Sequence, residues 1–317
     1  MTIGTVRRRD ILEAARYVYR YSIKTPLFEN IFLSRLTSLP VMLKMESFQP
    51  VHSFKIRGAS NKVLRSPGNV VTASSGNHGI AVAYVCAMTG RKAIVVVPEN
   101  INSSKLSAIR LLGAEIRFSG RTSDERIAHG LKLAEETGYH YIHSFDDPHI
   151  ISGQGTIGTE LERQVENARI IVPVGGGGLI SGIAVGFSKG SVYGVQSEGA
   201  DSMLRSLEAG RVITSSADTV ADGISVSTPG RLNFDIVSKS VKAILQVSDS
   251  EIIEAARMMW KNAHVLMEYA SASTVAALLR HRDIFKGEGN EPVVLIVSGD
   301  NVSDKVLRQL IARSTIK

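Results

Sequence analysis

Ser53-Phe54-Lys55-Ile56-Arg57-Gly58-Ala59 is the stretch around which the rest of the chain is read. It follows the alternating run Val41-Met42-Leu43-Lys44-Met45-Glu46, a strand pattern, and opens a segment of helical character. Ser53 is an N-cap residue type, which places Lys55 in the first helical turn, where unpaired backbone N–H groups carry about +0.5 charge. An ammonium is poorly placed there. The local field would draw the lysine below its free pKa of roughly 10.4 and leave a neutral amine able to attack a carbonyl. Taken alone, the stretch leaves open a plain alternative, one more basic residue on a solvated helix.

Working outward, strands and helices alternate. On the N-terminal side, Ile11, Ala14, Ala15, Val18 and Tyr19 recur at helical spacing, and Pro26 closes that element. On the C-terminal side, Ser66-Pro67-Gly68-Asn69 is a turn leading to the strand Val70-Val71-Thr72. The loop Ser74-Ser75-Gly76-Asn77-His78-Gly79 and an apolar helix to Met88 follow. Further strands are expected over 92–97, 115–118, 169–174, 191–196 and 292–297. Helices are expected over 105–112, 124–137, 179–187, 249–263, 271–281 and from 303. Such alternation needs crossover connections, hence a mostly parallel sheet, and 317 residues suit two closely packed α/β domains.

Composition narrows the class. Hydrophobic content of 44% and charged content of 21% fit a soluble globular protein, and no apolar run approaches the roughly 18 residues of a membrane span. The N-terminus runs into Arg7-Arg8-Arg9-Asp10 without a signal-peptide core, so a cytoplasmic location is expected. Cys86 is the single cysteine, which excludes an internal disulfide and any multi-cysteine metal site. Its apolar neighbours predict a buried, inert thiol. The net charge of +7 gathers in residues 1–66, with twelve Lys or Arg against four Asp or Glu. No aromatic-interleaved basic run accompanies it, so no nucleic-acid partner is expected; small anionic ligands or a solvated face fit better.

Gly175-Gly176-Gly177-Gly178 lies between the strand Ile170-Ile171-Val172-Pro173-Val174 and a helix. Residues without Cβ let backbone N–H groups close round an oxyanion, and the helix N-terminus adds its dipole. This reads as a phosphate site. It is neither GxGxxG nor a P-loop. The Ser74–Gly79 loop could hold a carboxylate at a helix start, or be an N-cap and turn only. Ser298-Gly299-Asp300-Asn301 ends an apolar strand, where parallel sheets place ligands, although Ser298 by itself could be a helix cap. One ligand with a phosphate, an aldehyde for Lys55 and a polar ring answers all of these. Pyridoxal 5′-phosphate has the three parts.

The same motifs carry a family resemblance over nearly the whole chain. It runs through Thr25-Pro26-Leu27, Gln49 to Ala59, the Ser-Gly-Asn-His loop, Gly153-Gln154-Gly155-Thr156, the four glycines, Ala221-Asp222-Gly223 and Ser298 to Asn301. In that order the chain resembles the fold-type II pyridoxal-phosphate enzymes, within them the threonine/serine dehydratase and serine racemase group. The resemblance implies two three-layer α/β domains with mostly parallel twisted sheets, tryptophan synthase β-like. A large cofactor-binding domain (1–66 and 147–317) would carry a small mobile domain (67–146). It implies that Lys55 joins the cofactor aldehyde and later moves the Cα proton, and that Phe54 packs near the ring. Asn77 would bond the 3′-oxygen, and Gly175 to Gly178 with Leu179 would hold the phosphate. Gly223 would lie against the cofactor, and Ser298 would meet the pyridine nitrogen. Ser75, Gly76, Asn77 and His78 would receive the substrate carboxylate, with His52 in a supporting place.

The implied activity is that of a threonine ammonia-lyase, converting L-threonine to 2-oxobutanoate and ammonia and L-serine to pyruvate. Alternatives are serine racemase or hydroxyaspartate ammonia-lyase, and, in another class, a non-catalytic cofactor-binding protein. A neutral Ser298 beside the pyridine nitrogen would leave it largely unprotonated, favouring prompt β-elimination over transamination. A place in isoleucine biosynthesis, the absence of a C-terminal regulatory domain and a homodimer or homotetramer are further expectations from the resemblance. Several positions depart from the family pattern. Ser75 stands where many dehydratases carry alanine and racemases serine, whose hydroxyl acts on the face opposite the lysine. The racemase-type cation ligands would fall on Gln196, Ala200 and Ser202, with Glu198 and Asp201 out of register, so no metal is expected there. Glu268 matches a family glutamate near the ring but is followed by Tyr269-Ala270-Ser271-Ala272-Ser273 instead of proline and small residues. Asp300 replaces a small residue, and a solvent-facing helix N-cap is its expected role.

Overall fold

Val293-Val294-Leu295-Ile296-Val297 shows why the molecule is layered. Every residue in this run is buried, so the strand must be covered on both faces, which is the situation of an interior parallel strand. Val293, Leu295 and Val297 point into one apolar cluster and Val294 and Ile296 into another. Ala93 to Val97 repeats the arrangement, with Ala93, Val95 and Val97 on one side and Ile94 and Val96 on the other.

The structure is a computed structural model and describes residues 6–74, 76–120, 122–286 and 291–311. In chain order, α1 (Arg8–Val18), β1 (Leu27–Glu29), α2 (Ile31–Thr37), β2 (Val41–Met45) and α3 (Lys55–Arg65) come first. An alternating run follows: β3 (Val70–Ala73), α4 (Asn77–Met88), β4 (Ala93–Val97), α5 (Ser103–Leu111), β5 (Glu115–Phe118), α6 (Ser123–Thr137) and β6 (His140–Ile142). The chain continues through α7 (Pro148–Gln164), β7 (Ala168–Pro173), α8 (Gly178–Gly186), β8 (Gly190–Ser197) and α9 (Ser202–Ala209). It closes with α10 (Arg231–Ser240), β9 (Ala243–Val247), α11 (Asp249–Ala263), α12 (Tyr269–Arg280), β10 (Val293–Val297) and α13 (Asp304–Ile311).

Two sheets result. One has six strands in the order β1-β2-β10-β7-β8-β9, the other four in the order β5-β4-β3-β6. All pairs are parallel except β1 with β2, whose edge register sets Phe28 opposite Leu43. Helices α11 and α12 pack on one face of the larger sheet and α7, α8 and α10 on the other. Around the smaller sheet, α3, α4 and α5 cover one face and α6 the other. The expected three-layer α/β architecture with mostly parallel sheets is what the chain forms.

Two local expectations need correction. Helix α3 begins at Lys55 with Phe54 as its N-cap, and the hydroxyl of buried Ser53 has no hydrogen-bond partner among the described residues. Ser53 instead forms a backbone bridge to Gly299, and the Phe54 N–H donates to the Ser298 carbonyl at 3.0 Å. The end of β10 therefore holds the chain at the start of α3 through backbone hydrogen bonds, and no side chain among the described residues caps the helix. Asp300 is not a helix N-cap either. Its carboxylate accepts from His52 Nδ1 at 3.1 Å, and α13 starts later, where the Ser303 hydroxyl accepts from the Val306 N–H. Cys86 is buried as expected, and burial pushes its thiol up to about 12.

Candidate active site

Both sheets end their parallel strands at one cleft, the place where such sheets gather ligand-binding loops. Phe54, Lys55, Gly76, Asn77 and His78 line it from α3 and α4. Gly175 to Gly178, Leu179, Gly223 and Ser298 line it from the larger sheet. These residues are brought together from positions up to the far end of the chain. Ser75 lies outside the described residues.

Lys55 occupies the first turn of α3, as its spacing requires. Its ammonium nitrogen lies 3.2 Å from the Ser144 carbonyl and 5.2 Å from the centre of the Phe54 ring. Its pKa falls to about 8, and the main cause is burial, opposed by the carboxylate of Glu268. The expectation of a depressed lysine holds, with desolvation as the dominant cause rather than the helix field.

The glycine run is a cradle with no room to spare. A Cβ on Gly176 would meet the Phe145 ring at 2.5 Å, and Gly177 adopts φ +98°, a conformation open to glycine and costly for other residues. Gly177 is the N-cap of α8 and brings no side-chain hydrogen bond, so the first N–H groups of that helix are left for another acceptor.

A chain of polar groups crosses the cleft. The Asn77 carboxamide donates to both oxygens of Glu268 at 2.9 and 3.0 Å and accepts from the Asn301 side chain at 3.0 Å. Glu268 is buried at the N-terminus of α12, and the unusual Tyr269 that follows it leaves it on the cleft wall. Its carboxyl is raised to about 7 by burial, against the pull of Lys105. Lys105 pairs with Asp222 at 2.6 Å and stands 3.9 Å from Glu268. Burial lowers its pKa, but Glu268 and Asp222 outweigh that and the net shift is upward. His78 is held well below its usual value by burial, with Lys55 and His143 adding to the effect and the Ile142 backbone opposing it. Ser298 is buried, with its hydroxyl 3.0 Å from that of Ser271.

Sequence reasoning assigns no role to Lys105, Phe145, Asn301 or Ser271. For Lys105 a signal exists. It lies four residues before the buried Ile109 on α5, so a lysine occupies the inward stripe of that helix. Phe145 sits in a stretch with no periodic or motif signal, and Ser271 opens an expected helix whose pattern says nothing of its hydroxyl.

The chain matches the pyridoxal-phosphate dependent enzyme family over residues 18–299. It belongs to that family. Pyridoxal phosphate is its cofactor, and it is an enzyme of the ammonia-lyase and racemase group. It is 38% identical to the L-threonine ammonia-lyase of Thermotoga maritima over 320 residues, covering 97% of this chain and 79% of that one. To the serine racemase of Dictyostelium discoideum it is 36% identical, covering 95% and 96%. Among solved structures, the T.th. threonine deaminase superposes with a TM-score of 0.88 at 37% identity, covering 94% of this chain and 99% of that one. The residues fit the cofactor: the cradle at Gly175 to Gly178 offers unpaired N–H groups for a phosphate, and Lys55 offers an amine of lowered pKa for an aldehyde.

Proposed function

We propose that this enzyme is a threonine ammonia-lyase that converts L-threonine to 2-oxobutanoate and ammonia, and L-serine to pyruvate and ammonia. The observation that carries the reading is the shared cleft of the Lys55 amine, the glycine cradle and the loop up to His78. Bound pyridoxal phosphate supplies an electron-withdrawing ring conjugated to the substrate nitrogen. The chain's own groups do the rest. Lys55, close to its pKa at neutral pH, takes the Cα proton, and an equivalent proton leaves with the β-hydroxyl as water. The backbone around Gly76, Asn77 and His78, with Ser75, orients the substrate carboxylate. Asn77 would bond the 3′-oxygen, Phe54 and Gly223 would lie against the ring, and Gly175 to Leu179 would hold the phosphate. Loss of the β-hydroxyl as water and later uptake of water with release of ammonia leave the atoms balanced.

The same proposal divides the chain into a large domain (1–66 and 147–317) and a small one (67–146) that moves to close the cleft. It includes a homodimer or homotetramer in the cytoplasm and a biosynthetic place towards isoleucine. A second reading, serine racemase, draws support from the similarity to the Dictyostelium enzyme and from a serine at position 75. The test is 2-oxo-acid release from L-threonine and L-serine by the wild type and Lys55→Ala, with chiral analysis of the remaining amino acid. Complete loss of release in a folded Lys55→Ala is expected. Unchanged release would end the lysine argument, and accumulation of the D-amino acid without 2-oxo acid would replace the lyase by the racemase.

A further inference from the structure

Gln196 on β8 is a fully buried polar side chain whose amide is used at both ends. Its Nε2 donates to the Val174 carbonyl at 3.3 Å, and its Oε1 accepts from the Leu204 N–H at 3.0 Å. A carbonyl can only accept and a backbone N–H only donate, so the amide has one orientation here. Val174 is the residue before Gly175, and Leu204 lies in the first turn of α9. That helix has Asp201 at its N-cap without a side-chain cap bond, so Gln196 answers one of its open N–H groups from the neighbouring strand. The Asp201 carboxylate is engaged elsewhere, accepting from Arg205 at 2.7 Å and from Gln246 at 3.2 Å. The start of α9 in turn supports the glycine run in two places. Met203 Cε stands 2.8 Å from where a Cβ on Gly177 would be. The Ser202 hydroxyl donates to the Val226 carbonyl at 2.8 Å, and the Val226 side chain lies 3.1 Å from the corresponding point on Gly175.

We infer that Gln196 is a positioning residue for the cofactor phosphate: its amide ties the chain just before the glycine run to the first turn of α9, so that the N–H groups of Gly175 to Gly178 stand ready before the phosphate arrives. Gln196 does not line the cleft and acts only through Val174 and α9. Consecutive glycines have more backbone freedom to lose than any other residues, and ordering them on binding weakens affinity. Fixing the run at its entrance and packing it at Gly175 and Gly177 removes part of that cost in advance. Lys55 takes part in none of these contacts, so the aldehyde end of the cofactor is unaffected. Coupling between two sites is reciprocal, so phosphate in the cradle also holds the Gln196 bonds closed. This inference rests on the reading of the glycine run as the phosphate site and adds to it a residue that never touches the cofactor.

The experiment titrates the full apo chain with pyridoxal 5′-phosphate and with pyridoxal, which has the same ring and aldehyde but no phosphate, and follows absorbance. The wild type is expected to bind the phosphorylated form far more tightly. Gln196→Glu keeps the shape and an oxygen for the Leu204 N–H but loses the donor to Val174, and Gln196→Met loses both. In each variant the Kd for pyridoxal phosphate rises several-fold, up to about tenfold, the scale of one lost hydrogen bond, while the Kd for pyridoxal stays where it was. Equal weakening of both ligands would mean that Gln196 only supports the fold, and no change in either that its bonds are idle; each result overturns the inference. The wild type alone supplies a second measurement, which decides the matter where the variants do not fold. Hydrogen exchange of the Leu204 amide is expected to slow more with pyridoxal phosphate bound than with pyridoxal bound, and equal protection overturns the inference. A wild type that binds the two ligands equally well overturns the phosphate reading of the glycine run itself, an outcome distinct from a failure of Gln196 alone.

Discussion

Lys55 and Arg57 are two residues apart on one helix and head two clusters of buried charge that behave differently. Arg57 is fully buried and donates to Glu46 at 2.7 and 2.8 Å, to Glu160 at 2.6 and 3.1 Å and to Thr156 at 3.0 Å. Lys44, also buried, bonds Glu160 at 2.6 Å and the Thr25 carbonyl at 2.8 Å. Two cations meet two carboxylates, and the coordinating atoms are saturated. In the cleft, Lys55 has one carbonyl contact, and Glu268 shares Lys105 with Asp222. Both clusters bear a desolvation cost, but only the first recovers it through complete pairing. Saturated charge anchors the helix, and unsaturated charge leaves groups that titrate near neutrality.

The sharpest way to break this contrast is Arg57→Ala. It leaves Glu46 and Glu160 buried with too few donors, and the cost expected for opening a buried pair is about 3–5 kcal/mol. Equilibrium denaturation of the apo chain measures it. Arg57→Lys restores the charge without the planar fork that reaches both carboxylates, so it recovers only part of the loss. A change within about 0.5 kcal/mol, the range of an ordinary surface substitution, would show that the network is not an anchor.

Glu268→Gln sharpens the comparison on the cleft side and acts on pH rather than on stability. The Glu268 carboxylate holds the Lys55 pKa up, while burial takes it down to about 8. Removing the carboxylate leaves burial unopposed, so the lysine pKa falls below that value. The neutral amine exists above the lysine's folded pKa, and the pH of half-maximal cofactor uptake by the apo protein therefore moves down. Uptake is followed by absorbance across pH 6 to 10, a span that brackets about 8. A midpoint that stays or rises would mean that Glu268 does not act on Lys55.

How far the sequence can be read follows the same division. Strands buried on both faces announce themselves as unbroken apolar runs such as Val293 to Val297, and the short strand 115–118 is legible to the residue. Motif glycines and Lys55 are legible because their spacing carries the chemistry. Helix α7 escapes a reading by pattern although it is the longest described, because Gly153, Gly155 and Gly158 give it poor intrinsic propensity. Its cause is tertiary: a Cβ on Gly153 would meet the Gly58 Cα at 2.7 Å, so the glycines serve close packing against α3. The short β1, β6 and β9 likewise depend on neighbours that are distant in sequence. Ser271 bonds Ser298 between α12 and the end of β10, and Asn301 bonds Asn77 across the cleft, contacts that no local pattern encodes.

The smallest expected effect tests whether a charge between the two regimes counts. Asp300 and His52 pair at 3.1 Å, with the histidine side chain 63% exposed and the aspartate 22%. Burial raises the Asp300 pKa and His52 opposes that rise. A pair this open to solvent contributes about 0–1 kcal/mol, so His52→Ala barely moves the unfolding midpoint. Its charge still reaches inward, since the Asp300 carboxylate adds to the upward shift of Glu268. Asp300→Asn removes that contribution, and the Glu268 pKa moves down from about 7, making its carboxylate more populated at neutral pH. More negative charge beside Lys55 then pushes the lysine pKa up, opposite in sign to Glu268→Gln and smaller. The same absorbance titration reads both variants. Shifts of the same sign would show that Asp300 reaches the lysine by a route other than Glu268.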